Sequence, residues 1–137
     1  MDKKVCVVGA GYWGKNHIRV LNELGALKGV VELDPKILSS LSKEYPDVSF
    51  YGNINLALKE DYDGFTVATP SENHYNLSKQ IISAGKHVLI EKPMALSIED
   101  SEKLLSLAEK FDVNLMVGHL LLFHPAILKI KEMIDNG

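Results

Sequence analysis

Val5-Cys6-Val7-Val8-Gly9-Ala10-Gly11-Tyr12-Trp13-Gly14 is the stretch from which the rest of this 137-residue chain can be read. Four apolar residues run into Gly-x-Gly-x-x-Gly, and a segment of helical period follows, with Ile18, Leu21 and Leu24 on one face. Strand, glycine turn and helix in that order are the arrangement that binds a dinucleotide. Gly9 permits the tight turn, Gly11 lets the backbone approach a pyrophosphate, and Gly14 lets helix and strand pack closely, with the helix N-terminus facing the phosphates. Asp34 ends the next apolar run, Val30-Val31-Glu32-Leu33. It lies about twenty residues beyond Gly14, where an acid accepts hydrogen bonds from an adenosine ribose. Such an acid repels a 2′-phosphate, so the expected cofactor is NAD rather than NADP, with Lys36 as a nearby cation that softens the preference.

The composition suits one compact domain, with 46% hydrophobic and 24% charged residues and no biased block. A net charge of −3, with lysines scattered among acids, offers no field for nucleic acid. The N-terminal apolar run is short and breaks into the glycine loop, unlike a signal peptide, and Leu120 to Phe123 is far too short to span a bilayer. A cytoplasmic location is expected, with neither nucleic acid nor membrane as partner. The single cysteine, Cys6, excludes an intrachain disulfide and reads as a small buried strand residue.

Short β-branched runs alternate with longer helical patterns, which is the signature of repeated βα units on a parallel sheet. Strands are expected near 4–8, 28–33, 48–51, 64–68, 87–91 and 113–117. Gly25 and Gly85 are placed to end helices, Pro35 and Pro125 to open them, and Asn53, Ser71 and Ser97 to cap them. The expected fold is therefore α/β, a doubly wound sheet of order 3-2-1-4-5-6 with helices on both faces. Ligands on such a sheet sit beyond the carboxyl ends of the strands, at the switch point between the first and fourth. Three loops meet on that rim: Ala68-Thr69-Pro70-Ser71-Glu72-Asn73-His74, Glu91-Lys92-Pro93 and Gly118-His119.

The glycine motif, Ala68-Thr69-Pro70-x-x-x-His74 and above all Ala84-Gly85-Lys86-His87-Val88-Leu89-Ile90-Glu91-Lys92-Pro93 together resemble the N-terminal Rossmann domain of the Gfo/Idh/MocA oxidoreductases. The resemblance covers essentially the whole chain. Gly118-His119-Leu120-Leu121-Leu122-Phe123-His124-Pro125 further resembles the subgroup acting on nucleotide-linked amino sugars, the UDP-N-acetylglucosamine or glucosaminuronate 3-dehydrogenases. It implies an NAD(P)-dependent dehydrogenase in which Lys92 lies between nicotinamide and substrate, with Glu91 and Pro93 fixing its loop. Members of the family run to more than twice this length and continue into a domain that binds substrate and mediates oligomers. Residues 1–137 are accordingly expected to be the dinucleotide-binding domain alone, incomplete for catalysis, with a nucleotide sugar and a second copy as partners of the whole enzyme.

Oxidising a secondary alcohol needs hydride transfer to nicotinamide and a base for the hydroxyl proton, and Lys92 is the candidate base. His119 is the second catalytic candidate. Tyr12, Trp13, Thr69, Pro70, His74, Glu91 and Lys92 join Gly9, Gly11, Gly14 and Asp34 as the expected cofactor-binding set. A hydrogen-bonded structural role is the alternative for His74 and His119, and helix-to-sheet packing for Tyr12 and Trp13. His17 and His87 read as structural, and His124, held extended by Pro125, is a candidate substrate contact. No pair of histidines has metal-ligand spacing, so no metal is expected. The runner-up is a non-catalytic NAD-binding regulatory or scaffold module; a methyltransferase shares the glycine loop and leaves Glu91-Lys92-Pro93 unexplained.

Overall fold

The computed structural model describes residues 3–137. Its strands are β1 (Val5–Val8), β2 (Leu27–Val31), β3 (Ser49–Tyr51), β4 (Gly64–Val67), β5 (His87–Ile90) and β6 (Leu115–Val117). They form one sheet in the order β3-β2-β1-β4-β5-β6, with all five pairings parallel. The helices are α1 (Tyr12–Glu23), α2 (Pro35–Glu44), α3 (Ile54–Ala57), α4 (His74–Ser83), α5 (Ile98–Phe111) and α6 (Pro125–Asp135). Single 3₁₀ turns at Ser71–Asn73 and Leu120–Phe123 lead into α4 and α6.

The period-2 alternation of the central strands divides the core into two layers. Val7 and Val30 pack with Ile18 of α1 and Leu41 of α2. On the opposite face, Cys6, Val8, Phe65 and Val67 pack with Ile54 of α3, Ile81 and Ile82 of α4 and Leu104 of α5. Helices thus cover both faces, as a sheet with continuous apolar strands requires. Gly25 and Gly85 both take φ +70 and close α1 and α4.

The caps at Asn53 and Ser97 form as expected, accepting from the N–H groups of Asn55 and Asp100. Ser71 does not cap α4: it starts the 3₁₀ turn, and Asn73 precedes the helix without a side-chain cap. β2 ends two residues earlier than the apolar run, because the Glu32 carboxylate folds back to accept from the N–H groups of Leu33 and Asp34. β6 starts at Leu115 rather than 113, since Asp112 turns left-handed at φ 52 and the Val113 N–H returns to the Ala108 carbonyl.

Candidate functional site

Gly9 is the pivot between β1 and α1. Its φ of +93 is disfavoured for any side chain, and a Cβ there would also meet the Ala68 carbonyl oxygen at 2.8 Å. One turn on, a Cβ at Gly14 would land on the Gly9 carbonyl oxygen. The two glycines therefore draw α1 down onto the turn that leads into it. Nothing lies within 4 Å of the Cβ position of Gly11, which leaves the front of the helix open. The first bond closing α1 runs from the Lys15 N–H to the Gly11 carbonyl, and Gly11 supplies no side-chain cap. The amides of Tyr12, Trp13 and Gly14 precede the ladder, a donor set of the kind that receives phosphate.

In front of this terminus lies a cleft of about 940 Å³, at the upper end of the range for small-molecule sites. The β1–α1 turn contributes Gly9, Gly11, Tyr12 and Trp13, β2 and its turn contribute Val31, Glu32 and Leu33, and Asn53 stands at the start of α3. Across the switch point are Thr69, Pro70 and His74, then Glu91, Lys92 and Pro93. Loops some 80 residues apart in sequence therefore share one wall, as the sheet order dictates.

Of the expected cofactor-binding residues, Gly9, Gly11, Tyr12, Trp13, Thr69, Pro70, His74, Glu91 and Lys92 line the cleft. Gly14 sits behind it as the packing glycine. Asp34 is placed elsewhere: it precedes α2 as the N-cap, its carboxylate accepting from the Lys36 N–H at 2.8 Å, and it does not line the cleft. Glu32 does. Its Oε2 accepts from the Ala10 N–H at 2.8 Å, inside the glycine loop, and its Oε1 from the N–H groups of Leu33 and Asp34. Glu32 was legible as the first acid after Val30-Val31; the count from Gly14 favoured the later one.

His119 also falls outside the cleft lining. It is exposed beyond β6, where its N–H bonds the Val117 carbonyl and the 3₁₀ turn of Leu120 to Phe123 follows. His124 is exposed and extended, and its Nδ1 accepts from the Ala126 N–H at the start of α6. His87 likewise serves the backbone, accepting from Asn114 N–H.

Two histidines hold the Lys92 loop. His74 is 1% exposed, with Nδ1 2.7 Å from the Pro93 carbonyl oxygen and Nε2 2.9 Å from that of Thr69. Its ring thus ties the β4 and β5 loops together. His17, on α1, places Nε2 2.7 Å from Oε1 of Glu91, which is 6% exposed. The other Glu91 oxygen faces the Lys92 N–H at 3.3 Å. Lys92 itself projects at the cleft, preceding Pro93 through a cis peptide.

Among the described residues no group of three or more His, Cys, Asp and Glu could hold a metal ion, and no helix is long and apolar enough to cross a membrane.

The model of the Gfo/Idh/MocA family, described as an oxidoreductase family with an NAD-binding Rossmann fold, matches residues 3–119. A 1-carboxy-3-chloro-3,4-dihydroxycyclohexa-1,5-diene dehydrogenase of Comamonas testosteroni is 34% identical over 107 residues, covering 77% of this chain and 27% of the relative. A UDP-N-acetylglucosamine 3-dehydrogenase of Acidithiobacillus ferrooxidans is 28% identical over 131 residues, covering 92% and 40%. The crystal structure of the WlbA dehydrogenase from Bordetella pertussis in complex with NADH and UDP-GlcNAcA superposes with a TM-score of 0.93 at 26% identity, covering all of this chain and 43% of that one. The chain thus spans less than half the length of each of these proteins.

Proposed function

The chain belongs to the Gfo/Idh/MocA oxidoreductase family, and from that premise we propose that it binds NAD(H) in the cleft over the glycine loop and forms the cofactor half of a sugar dehydrogenase. The substrate read for the whole enzyme is a nucleotide-linked amino sugar or sugar acid, oxidised at a secondary hydroxyl. The observation that carries this reading is the placement of Lys92 on the same cleft as the uncapped N-terminus of α1. A phosphate-binding terminus alone would suit any nucleotide; an amine on the wall of the same cleft adds a proton acceptor for the reacting hydroxyl.

The residues present suit the dinucleotide. The amides of Tyr12, Trp13 and Gly14 would hold its pyrophosphate, and Glu32, just beyond β2 on the cleft, would accept from ribose hydroxyls. Bound NAD⁺ supplies the acceptor for a hydride from the carbinol carbon. The Lys92 amine, on the wall of the cleft, is placed to take the hydroxyl proton as the carbon–oxygen double bond forms. Two electrons and one proton leave with the hydride, and the second proton resides on Lys92. His74 and Glu91 hold the loop that presents this amine.

Lys92 lines one wall of the cleft, and His119 lies outside it. Orienting a sugar carbon against nicotinamide needs an opposing wall, and loss of such positioning removes many orders of magnitude in rate. The test is calorimetric titration of the chain with NADH and NADPH, followed by NADH absorbance in the presence of UDP-N-acetylglucosaminuronate. NADH is expected to bind, NADPH more weakly, with no sustained turnover by residues 1–137 alone. Absence of NADH binding would overturn the reading of the cleft; Lys92-dependent turnover would overturn the need for a second wall.

A further inference from the structure

Glu91 is the first residue beyond β5, yet its side chain turns inward and is almost wholly buried. Its pocket is built from three elements. α1 brings the His17 ring to Oε1 at 2.7 Å, the β5 loop brings the Lys92 N–H to Oε2, and beyond β6 the absence of a side chain at Gly118 makes room, since a Cβ there would come within 3.2 Å of Oε2. A buried carboxylate is held in place by its donors, and removing one leaves the oxygen unsatisfied at a cost larger than the bond itself contributes.

We propose that His17 is a positioning residue for Lys92: through the Glu91 carboxylate it fixes the loop that carries the amine and locks it to the helix whose N-terminus faces the cofactor. The role rests on the reading of Lys92 as the reacting amine. Its physical basis is the order of contacts. Among the described residues the Glu91 carboxylate has two hydrogen-bond partners, His17 and its own neighbour's backbone N–H, and the second, at 3.3 Å, is the longer. Without His17 the carboxylate keeps one long bond to the very peptide it is meant to hold, and the group that shifts is Lys92. α1 is meanwhile anchored independently, by Ile18 at 1% exposure within the core shared with Val7 and Val30. A single rigid helix therefore carries the phosphate-facing amides at its start and the tether of the reactive loop little more than a turn later, so the cofactor and the amine keep a fixed spacing.

The test separates positioning from stability. The lysines of the folded chain are reductively methylated with ¹³C-formaldehyde, and the Lys92 methyl resonance is assigned with Lys92→Arg and followed as NADH is added. Displacement of that resonance by NADH in the unaltered sequence supports the cofactor cleft itself; its absence counts against that reading, whatever His17 does. In His17→Leu, NADH affinity should stay within about threefold, since a tether lost away from the phosphates costs little binding. The Lys92 resonance should nonetheless shift and broaden, and its displacement by NADH should fall by at least half. His17→Gln, whose amide nitrogen can reach the position of Nε2, should restore both. A folded His17→Leu chain with an unchanged Lys92 response overturns the proposal, as does failure of the Gln variant to rescue it. If the Leu variant unfolds, His17→Asn, polar but too short to reach Glu91, is read by the same two outcomes.

Discussion

The carboxylate of Glu32, a residue lining the cleft, accepts from the backbone N–H of Ala10, 2.8 Å away, and so joins the end of β2 to the glycine loop. The acid that lines the cleft is therefore also a strut of the glycine loop. Asp34, two residues on, spends its carboxylate on the start of α2.

The two acids should part company in solution. Glu32→Ala leaves the Ala10 N–H without its acceptor and removes the carboxylate proposed to meet the ribose, so NADH affinity should fall on the order of tenfold or more, as expected for loss of a charged hydrogen-bond partner. The same change should narrow any gap between NADH and NADPH, because the charge facing a 2′-phosphate is gone. Asp34→Ala should instead cost about 1 kcal/mol of stability as a lost helix cap and leave NADH binding nearly unchanged. Calorimetry and thermal unfolding of both variants check this; a larger affinity loss at Asp34 would return the ribose role to it.

Trp13 is the one tryptophan of the chain, is 46% exposed, and lies on the cleft with the Tyr12 ring against its edge. NADH bound there should quench its emission saturably, with a midpoint matching calorimetry. Trp13→Phe should abolish the optical signal and retain binding. Calorimetric saturation without any change in emission would place the nicotinamide cofactor elsewhere.

The sheet and its order were legible because each strand is a short β-branched run and each connection a helical pattern, so few topologies were open. The cleft followed from the order, since the rim loops of β1, β4 and β5 must meet at the switch point. Side-chain partnerships were less accessible. His17 and Glu91 are 74 residues apart, and nothing local distinguishes a histidine that meets a loop from one that faces a neighbouring helix. The choice between Glu32 and Asp34 turned on whether the chain leaves β2 before or after Leu33, a boundary set by Glu32's own hydrogen bonds. His119 follows β6 and so reads as a rim residue, while the cleft lining of this domain does not include it or the 3₁₀ turn after it.

Cys6 lies fully buried at the centre of β1, and burial pushes its thiol well above the usual range by disfavouring the thiolate. The folded protein should therefore not react with a disulfide reagent such as DTNB, and should release one equivalent of thiol only in denaturant. Rapid labelling of the native state would show that β1 opens locally.

Asp63 ties the N-terminal segment to the start of β4. Its carboxylate accepts from the Lys4 N–H at 2.7 Å and from the Lys3 ammonium at 3.2 Å, and these contacts hold its pKa below the ordinary carboxylate value. A group whose folded pKa is depressed contributes stability above its unfolded pKa and loses it as pH falls through the folded one. Asp61, paired with Lys4, is shifted the same way. Stability should decline as acid is added below the normal carboxylate range, and Asp63→Asn should make that decline shallower. An unchanged acid limb in urea melts across that range would show that the contact is not held in solution.

The last prediction concerns the face beyond β6. Leu120, Leu121, Leu122 and Phe123 are all exposed, and no residue of α6 is buried, although Leu128, Ile130, Met133 and Ile134 stand along it. Contiguous apolar surface of this kind favours association, because water is released when two such faces meet. The chain should therefore show reversible, concentration-dependent self-association in sedimentation velocity. Leu121→Glu with Phe123→Glu should shift it to monomer, since a charge buried in the contact is strongly disfavoured. NADH affinity should be unaffected, because neither residue lines the cleft. A strictly monomeric species at high concentration, or association that survives the double substitution, would show that this face does not carry the contact.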